Sequence, residues 1–218
     1  MLSLRFFMAI IIGIMPFNKL RILFYKLLMG YEVDKKSKIG PFNLLFSRAM
    51  VLKSASIESL NIIGIDTLSM EADSSIGKLN TFRKLRMIHL SKGARIRHRN
   101  FIGGTYGTIE ECGREILTLG ENSQISISCF LDLTDEIQLG SNVVVAGSGT
   151  QFWTHGYNHL RVKNVAPILV QNNVFIGAAS TIVQGVTICS NVTIGAGTVV
   201  HRSIYESGLY VSNELRKV

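Results

Sequence analysis

The segment Phe152-Trp-Thr-His-Gly-Tyr-Asn-His159 holds two imidazoles four residues apart, His155 and His159. An imidazole titrates near neutrality, so either could accept a proton from an attacking hydroxyl. A backbone N–H nearby could then stabilise the developing oxyanion. His89 and His98 read as surface or packing residues, and His201 reads the same way unless it meets a ligand. Cys112, Cys129 and Cys189 are odd in number and have no metal-like spacing, which points to reduced, structurally buried thiols. The chain has no P-loop, no dinucleotide fingerprint and no zinc-type Cys/His cluster.

A repeat must position these histidines. From Val170 to Val200 an aliphatic residue recurs every six positions: Val170, Ile176, Ile182, Ile188, Ile194 and Val200. That period is neither helical nor a simple strand alternation; it fits a coil with three flat sides of six residues each. Val174, Ser180, Val186, Val192 and Thr198 supply the small or β-branched residues of a narrow interior. Asn173, Ala179, Gly185, Asn191 and Gly197 recur where the chain must turn a corner, the position that favours a positive φ.

Earlier residues follow the same frame less evenly. Val51, Met70, Leu90, Leu119, Leu139, Val170 and Ile188 serve as anchors at intervals of 19, 20, 29, 20, 31 and 18 residues. Two intervals are too long for one coil, so loops leave it near 103–115 and 153–167. Breaks in a uniform stack are where specific chemistry is usually built.

The 218 residues are 47% hydrophobic and 17% charged, with a net charge of +8, which suits one domain with a sizeable core. Residues 1–100 carry 17 basic and 6 acidic side chains, against 6 and 9 in the remainder. Between Lys78 and Arg99 there are eight basic residues and no acid, and Arg95, Arg97 and Arg99 alternate outward around Ile96. Such a stretch favours anionic partners or forms a solvated face. The apolar run Phe6–Phe17 is shorter than the ~20 residues a membrane-spanning helix needs. Phe17, Leu20, Phe24, Leu27 and Leu28 then form one helical face, with Asn18, Arg21, Tyr25 and Lys26 opposite and Gly30 as a stop. This helix either covers the open end of the coil or lies in a membrane interface.

The stretches Ile176-Gly-Ala-Ala-Ser-Thr-Ile-Val-Gln-Gly-Val-Thr-Ile188 and Ile194-Gly-Ala-Gly-Thr-Val-Val200, with the histidine loop, resemble the hexapeptide-repeat acyltransferases, and among them bacterial sugar and polysaccharide O-acetyltransferases. The resemblance is close over residues 115–218. It implies an all-β fold, a left-handed parallel β-helix of hexapeptide repeats, with a short N-terminal helical segment. It also implies a homotrimer with active sites between neighbouring prisms, acetyl-CoA as cosubstrate and no metal. By the same resemblance His155 is the base and His159 the second candidate. Ala178, Ala196, His201 and Arg202 match positions beside the CoA, as does the aromatic Phe175, while the terminal Leu215-Arg-Lys-Val218 departs from the family's ending and leaves Arg216 unassigned.

The sequence thus predicts residues 1–30 as an apolar and amphipathic helical segment, 31–204 as the β-helix and 205–218 as a tail. The expected activity is acetyl transfer to a saccharide hydroxyl in surface-polysaccharide or lipopolysaccharide assembly. The expected acceptor is a saccharide or a nucleotide- or lipid-linked sugar, with no nucleic acid partner. A cytoplasmic location with peripheral contact at the inner membrane face is expected too. The rivals are a metal site of the γ-carbonic-anhydrase type, which lacks a third well-placed histidine here, and a non-catalytic β-helix scaffold.

Overall fold

The structure is a computed structural model and describes residues 2–212. Three parallel sheets wrap one axis. Sheet A has eight strands, from Glu32–Val33 to Thr187–Ile188; sheet B has nine, from Lys38–Ile39 to Gly208–Tyr210; sheet C has eight, from Leu44–Leu45 to Val199–Val200. The chain visits A, B and C in turn, and each strand pairs in parallel with the one a coil away. Leu90 thus lies between Met70 and Leu119. The chain is a parallel β-helix of three sheets, with two short helices at its start.

The hexad frame maps onto the axis. Met70, Leu90, Leu119, Leu139, Val170 and Ile188 form one buried column in sheet A, and Ile76, Ile96, Ile125, Val145, Ile176 and Ile194 another in sheet B. Each such side chain, fully removed from water, contributes roughly 1.5–3 kcal/mol. All five corner residues read from the sequence have positive φ: Asn173 at 57°, Ala179 at 57°, Gly185 at 77°, Asn191 at 62° and Gly197 at 69°.

One anchor shifts by a residue. Leu52, not Val51, lies opposite Met70 and is buried, while Val51 pairs with Ser69. The corner after Leu52 is one residue shorter than the corner after Met70, so Ala55 and Ile57 keep their places while the anchor moves. Val33 adds a further coil before it.

Between sheets B and C runs an asparagine ladder. Asn43 Oδ1 accepts from the backbone N and Nδ2 of Asn61 at 2.9 and 3.0 Å. Asn61 does the same for Asn80, and Asn80 for Asn100. Asn100 Oδ1 then accepts from Cys129 N at 2.9 Å. Each buried amide thus satisfies the next, the condition under which polar groups can stack in a core.

The helices α1 (Leu2–Gly13) and α2 (Asn18–Met29) cover the first coils, ending at Gly30 with φ of 69°. The face that α2 buries is the reverse of what its pattern suggests. Arg21, Tyr25 and Met29 are buried, whereas Phe17, Leu23, Leu27 and Leu28 are exposed. The first coil presents backbone carbonyls, and Arg21 donates to Ile39 O from Nε at 3.0 Å and Nη2 at 2.8 Å. Hydrogen bonding at the coil's open end therefore outweighs apolar burial here.

Candidate active site at one corner of the coil

Both long loops leave the stack where sheet C turns into sheet A. The first lies between the strands Phe101–Gly104 and Ile116–Leu119. The second is an antiparallel hairpin, His155–Tyr157 with Lys163–Val165, between Gln151–Trp153 and Ile168–Val170. The loops touch: Lys163 Nζ lies 3.0 Å from Glu110 Oε2, and this ammonium holds the Glu110 carboxyl below its ordinary range. Below them Arg114 pairs with buried Asp135 through Nε and Nη2 at 2.8 and 2.6 Å. Buried Glu115 accepts from Arg86 Nε at 3.1 Å and from Cys112 N at 2.8 Å.

His155 opens the hairpin, with its side chain 23% exposed. Its Nδ1–H donates to Asp132 Oδ2 at 2.7 Å, and Thr134 Oγ1 lies 3.2 Å from the same nitrogen. Asp132 is itself held by Thr154, whose hydroxyl lies 2.9 Å from the Asp132 carbonyl and 3.2 Å from Oδ2. The Asp132 bond fixes the tautomer and leaves Nε2 as the free acceptor. Trp153 and Tyr157 meet the ring edge-on at centroid distances of 6.3 and 5.7 Å.

Asp132 is the residue that sequence reasoning missed. It lies in the strand Phe130–Leu133, 23 residues before His155. The signal was the register itself, since Asp132 pairs with Trp153, two residues before the histidine.

His159 lies elsewhere, exposed in the turn at the hairpin tip. Asn158 Oδ1 shapes that turn by accepting from Leu160 N and Val162 N at 2.9 and 3.0 Å.

The four candidate donor-binding residues divide between two corners. Ala178 and Ala196 occupy the B–C corner on neighbouring coils, at the edge of sheet C opposite His155. The coils touch closely there: a Cβ on Gly177 would come within 2.5 Å of Ala196 N. His201 and Arg202 stand instead at the C–A corner, two coils beyond His155, a separation of roughly 10 Å at the ~4.8 Å spacing of strands. They line a groove of about 340 Å³ with Thr198, Tyr210 and Ser212. Thr198 Oγ1 is buried there without a hydrogen-bond partner among the described residues. Phe175 is 45% exposed in sheet B, and Arg216 lies outside the described residues.

The thiols behave differently from one another. Cys129 is buried, and burial pushes its pKa up to about 12. Cys112 is exposed, contrary to the expectation of structural burial, because the first loop carries it out of the stack. Among the described residues no group of three His, Cys, Asp or Glu side chains is arranged to hold a metal ion.

Residues 167–202 match the family described as "Hexapeptide repeat of succinyl-transferase". The chain is 26% identical over 102 residues to YvoF of Bacillus subtilis (strain 168), covering 46% of this chain and 58% of that one. It is 30% identical over 103 residues to the bifunctional protein GlmU of Gloeothece citriformis (strain PCC 7424), covering 46% of this chain and 20% of that one. Among solved structures, the polySia specific acetyltransferase NeuO aligns with a TM-score of 0.49 at 16% identity, over 84% of this chain and 74% of that one. The chain thus spans less than two thirds of the length of the curated relatives it matches. Over residues 167–202 the chain is thus similar to hexapeptide-repeat transferases, and the same stacked hexads run through the rest of the coil.

Proposed function

We propose that the protein transfers an acetyl group from acetyl-CoA to a saccharide hydroxyl, with His155 as general base, in the assembly of a surface polysaccharide or lipopolysaccharide. The observation that carries this reading is the Asp132–His155 pair at 2.7 Å, beside two loops that can hold an acceptor. Nε2 receives the proton as the sugar oxygen attacks, and the same nitrogen returns it to the departing sulfur. Asp132, held by Thr134 and Thr154, keeps the ring oriented and stabilises its charged form. Acetyl-CoA supplies an activated thioester carbonyl.

The residues fit such a donor. Ala178 and Ala196 leave room for a close backbone approach, and Arg202 offers a guanidinium suited to phosphate. His201 and Arg202 flank the groove that contains the Thr198 hydroxyl, which has no hydrogen-bond partner among the described residues. Ala178 and Ala196 lie across sheet C from His155, so one cleft using all these residues needs a neighbouring copy. This arrangement favours a homotrimer.

Two measurements test the reading. Light scattering should give three chains per particle, and a monomer with full transfer activity would contradict the shared cleft. Incubation with acetyl-CoA and a panel of glycans and nucleotide sugars should release free CoA thiol with one acceptor class. Failure of every acyl-CoA to raise the unfolding temperature would favour a scaffold instead.

A further inference from the structure

α1 packs on the first coils with Ala9 and Ile12 and α2 with Arg21, Tyr25 and Met29, and both helices leave further apolar side chains outside. Phe17, just before α2, and Leu23, Leu27 and Leu28 on it are 70, 48, 69 and 48% exposed. Leu4, Phe7 and Ile11 on α1 and Ile14 just after it are 63, 61, 44 and 63% exposed. Single exposed apolar side chains are ordinary, but two adjoining helices that each turn a row of them outward mark an interaction surface.

The charged side chains of the two helices have one sign. At 100° per residue, Leu20, Leu23, Phe24, Leu27 and Leu28 share one arc of α2, and exposed Lys19 and Lys26 lie along its border, with Lys26 Nζ donating to Val33 O at 3.3 Å. Residues 1–31 contain four basic side chains and no acidic one. Each helix is 12 residues long, about 18 Å, and no helix among the described residues is long and apolar enough to cross a membrane. Two copies meeting face to face would bring their lysines together with no carboxylate in the helices to offset them.

We propose that the outward arc of α2, with that of α1 beside it, docks in the interfacial plane of an anionic phospholipid bilayer. Leu23, Leu27 and Leu28 enter the acyl boundary, and Lys19 and Lys26 meet the headgroup phosphates. Anionic headgroups supply the charge that a second copy lacks, and this arrangement is how amphipathic helices bind membrane surfaces. The surface lies at the opposite end of the stack from the last coils, and the inference does not depend on the reaction at His155.

Sedimentation of the full chain with vesicles tests it, using phosphatidylcholine alone and phosphatidylcholine mixed with phosphatidylglycerol. The parent should bind the mixed vesicles more tightly, and added salt should weaken that binding. Lys19→Gln and Lys26→Gln should each weaken it about fivefold, the worth of one lysine near such a surface. Leu23→Glu with Leu27→Glu should weaken it at least ~10-fold, with the thermal unfolding profile unchanged because both positions face outward. The lysine variants keep the test valid should the leucine pair fail to fold. Absence of parent binding to the mixed vesicles overturns the proposal, as does binding that none of these substitutions alters. A smaller particle mass in the leucine variant, with no vesicle binding by the parent, would make a second copy the occupant.

Discussion

The A–B and C–A corners of the coil solve the same turning problem in different ways. At the A–B corner, Ser54, Asp73, Gly93, Asn122, Asn142, Asn173 and Asn191 all take φ between 51° and 69°, coil after coil. Asn142, Asn173 and Asn191 also pass side-chain hydrogen bonds of 3.2 Å up the stack. At the C–A corner that uniformity is gone: two loops project, ion pairs tie them, and His155 meets Asp132. The first corner repeats a backbone conformation and can be built from any residue that tolerates it. The second needs particular side chains, and it is held in place by the sheets on either side.

Substitutions can test that contrast, starting with the scaffold both corners share. Leu119→Ala, in the buried column of sheet A, should cost 2–5 kcal/mol in denaturant unfolding. Acetyl transfer per folded chain should hardly change, and a large drop in turnover at unchanged stability would show that the core and the C–A corner are not separable. Asp132→Ala removes the group that orients the imidazole without touching the acceptor loops. Turnover should fall roughly tenfold to a hundredfold with little change in the acetyl-CoA KM, since only part of the general-base contribution depends on ring orientation.

At the uniform corners the effects should be smaller and confined to stability. Ala179 holds a φ of 57°, so Ala179→Gly should raise stability by up to about 1 kcal/mol. At the C–A corner itself, one coil beyond His155, Gly185→Ala, at φ of 77°, should lower it by a similar amount. Its new Cβ would meet only Ala166 Cβ, at 3.5 Å, so strain in the backbone is the main cost.

The smallest effect concerns the tie between the loops. Glu110 has its carboxyl pKa lowered by Lys163, so the pair contributes fully above the ordinary carboxylate pKa and is lost as pH falls through the lowered value. Glu110→Gln should therefore raise the acceptor KM only a few-fold at neutral pH. High salt should mimic it in the parent, and the difference between the two proteins should vanish in acid.

How much the sequence revealed follows the same division. The corner residues from Asn173 to Gly197 and the columns from Met70 to Ile194 were legible because each hexad constrains them alike. The Leu52 anchor was misplaced by one residue because a shorter corner resets the frame without altering the aliphatic pattern. The Asn43–Asn100 ladder had a readable spacing, yet asparagine also marks corners, and only the structure shows these amides pointing inward. The inward face of α2 was hidden, since its burial depends on carbonyls that the coil exposes after folding. His155 stood out as an imidazole in a loop. Its partner did not, because Asp132 looks like any outward strand residue until parallel pairing sets it beside Trp153.

The central claim is that the C–A corner carries out proton transfer through His155. Single-turnover and steady-state acetyl transfer by the parent, His155→Ala and His159→Ala, measured with metal content and particle mass, tests it most directly. His155→Ala should lower the rate by ~10²–10⁴ while particle mass and acetyl-CoA affinity stay as in the parent. His159→Ala, altered at the exposed hairpin tip, should lose far less, and chelators should leave the parent active. Near-normal turnover in the His155 variant, or a collapse in the His159 variant alone, would contradict the account.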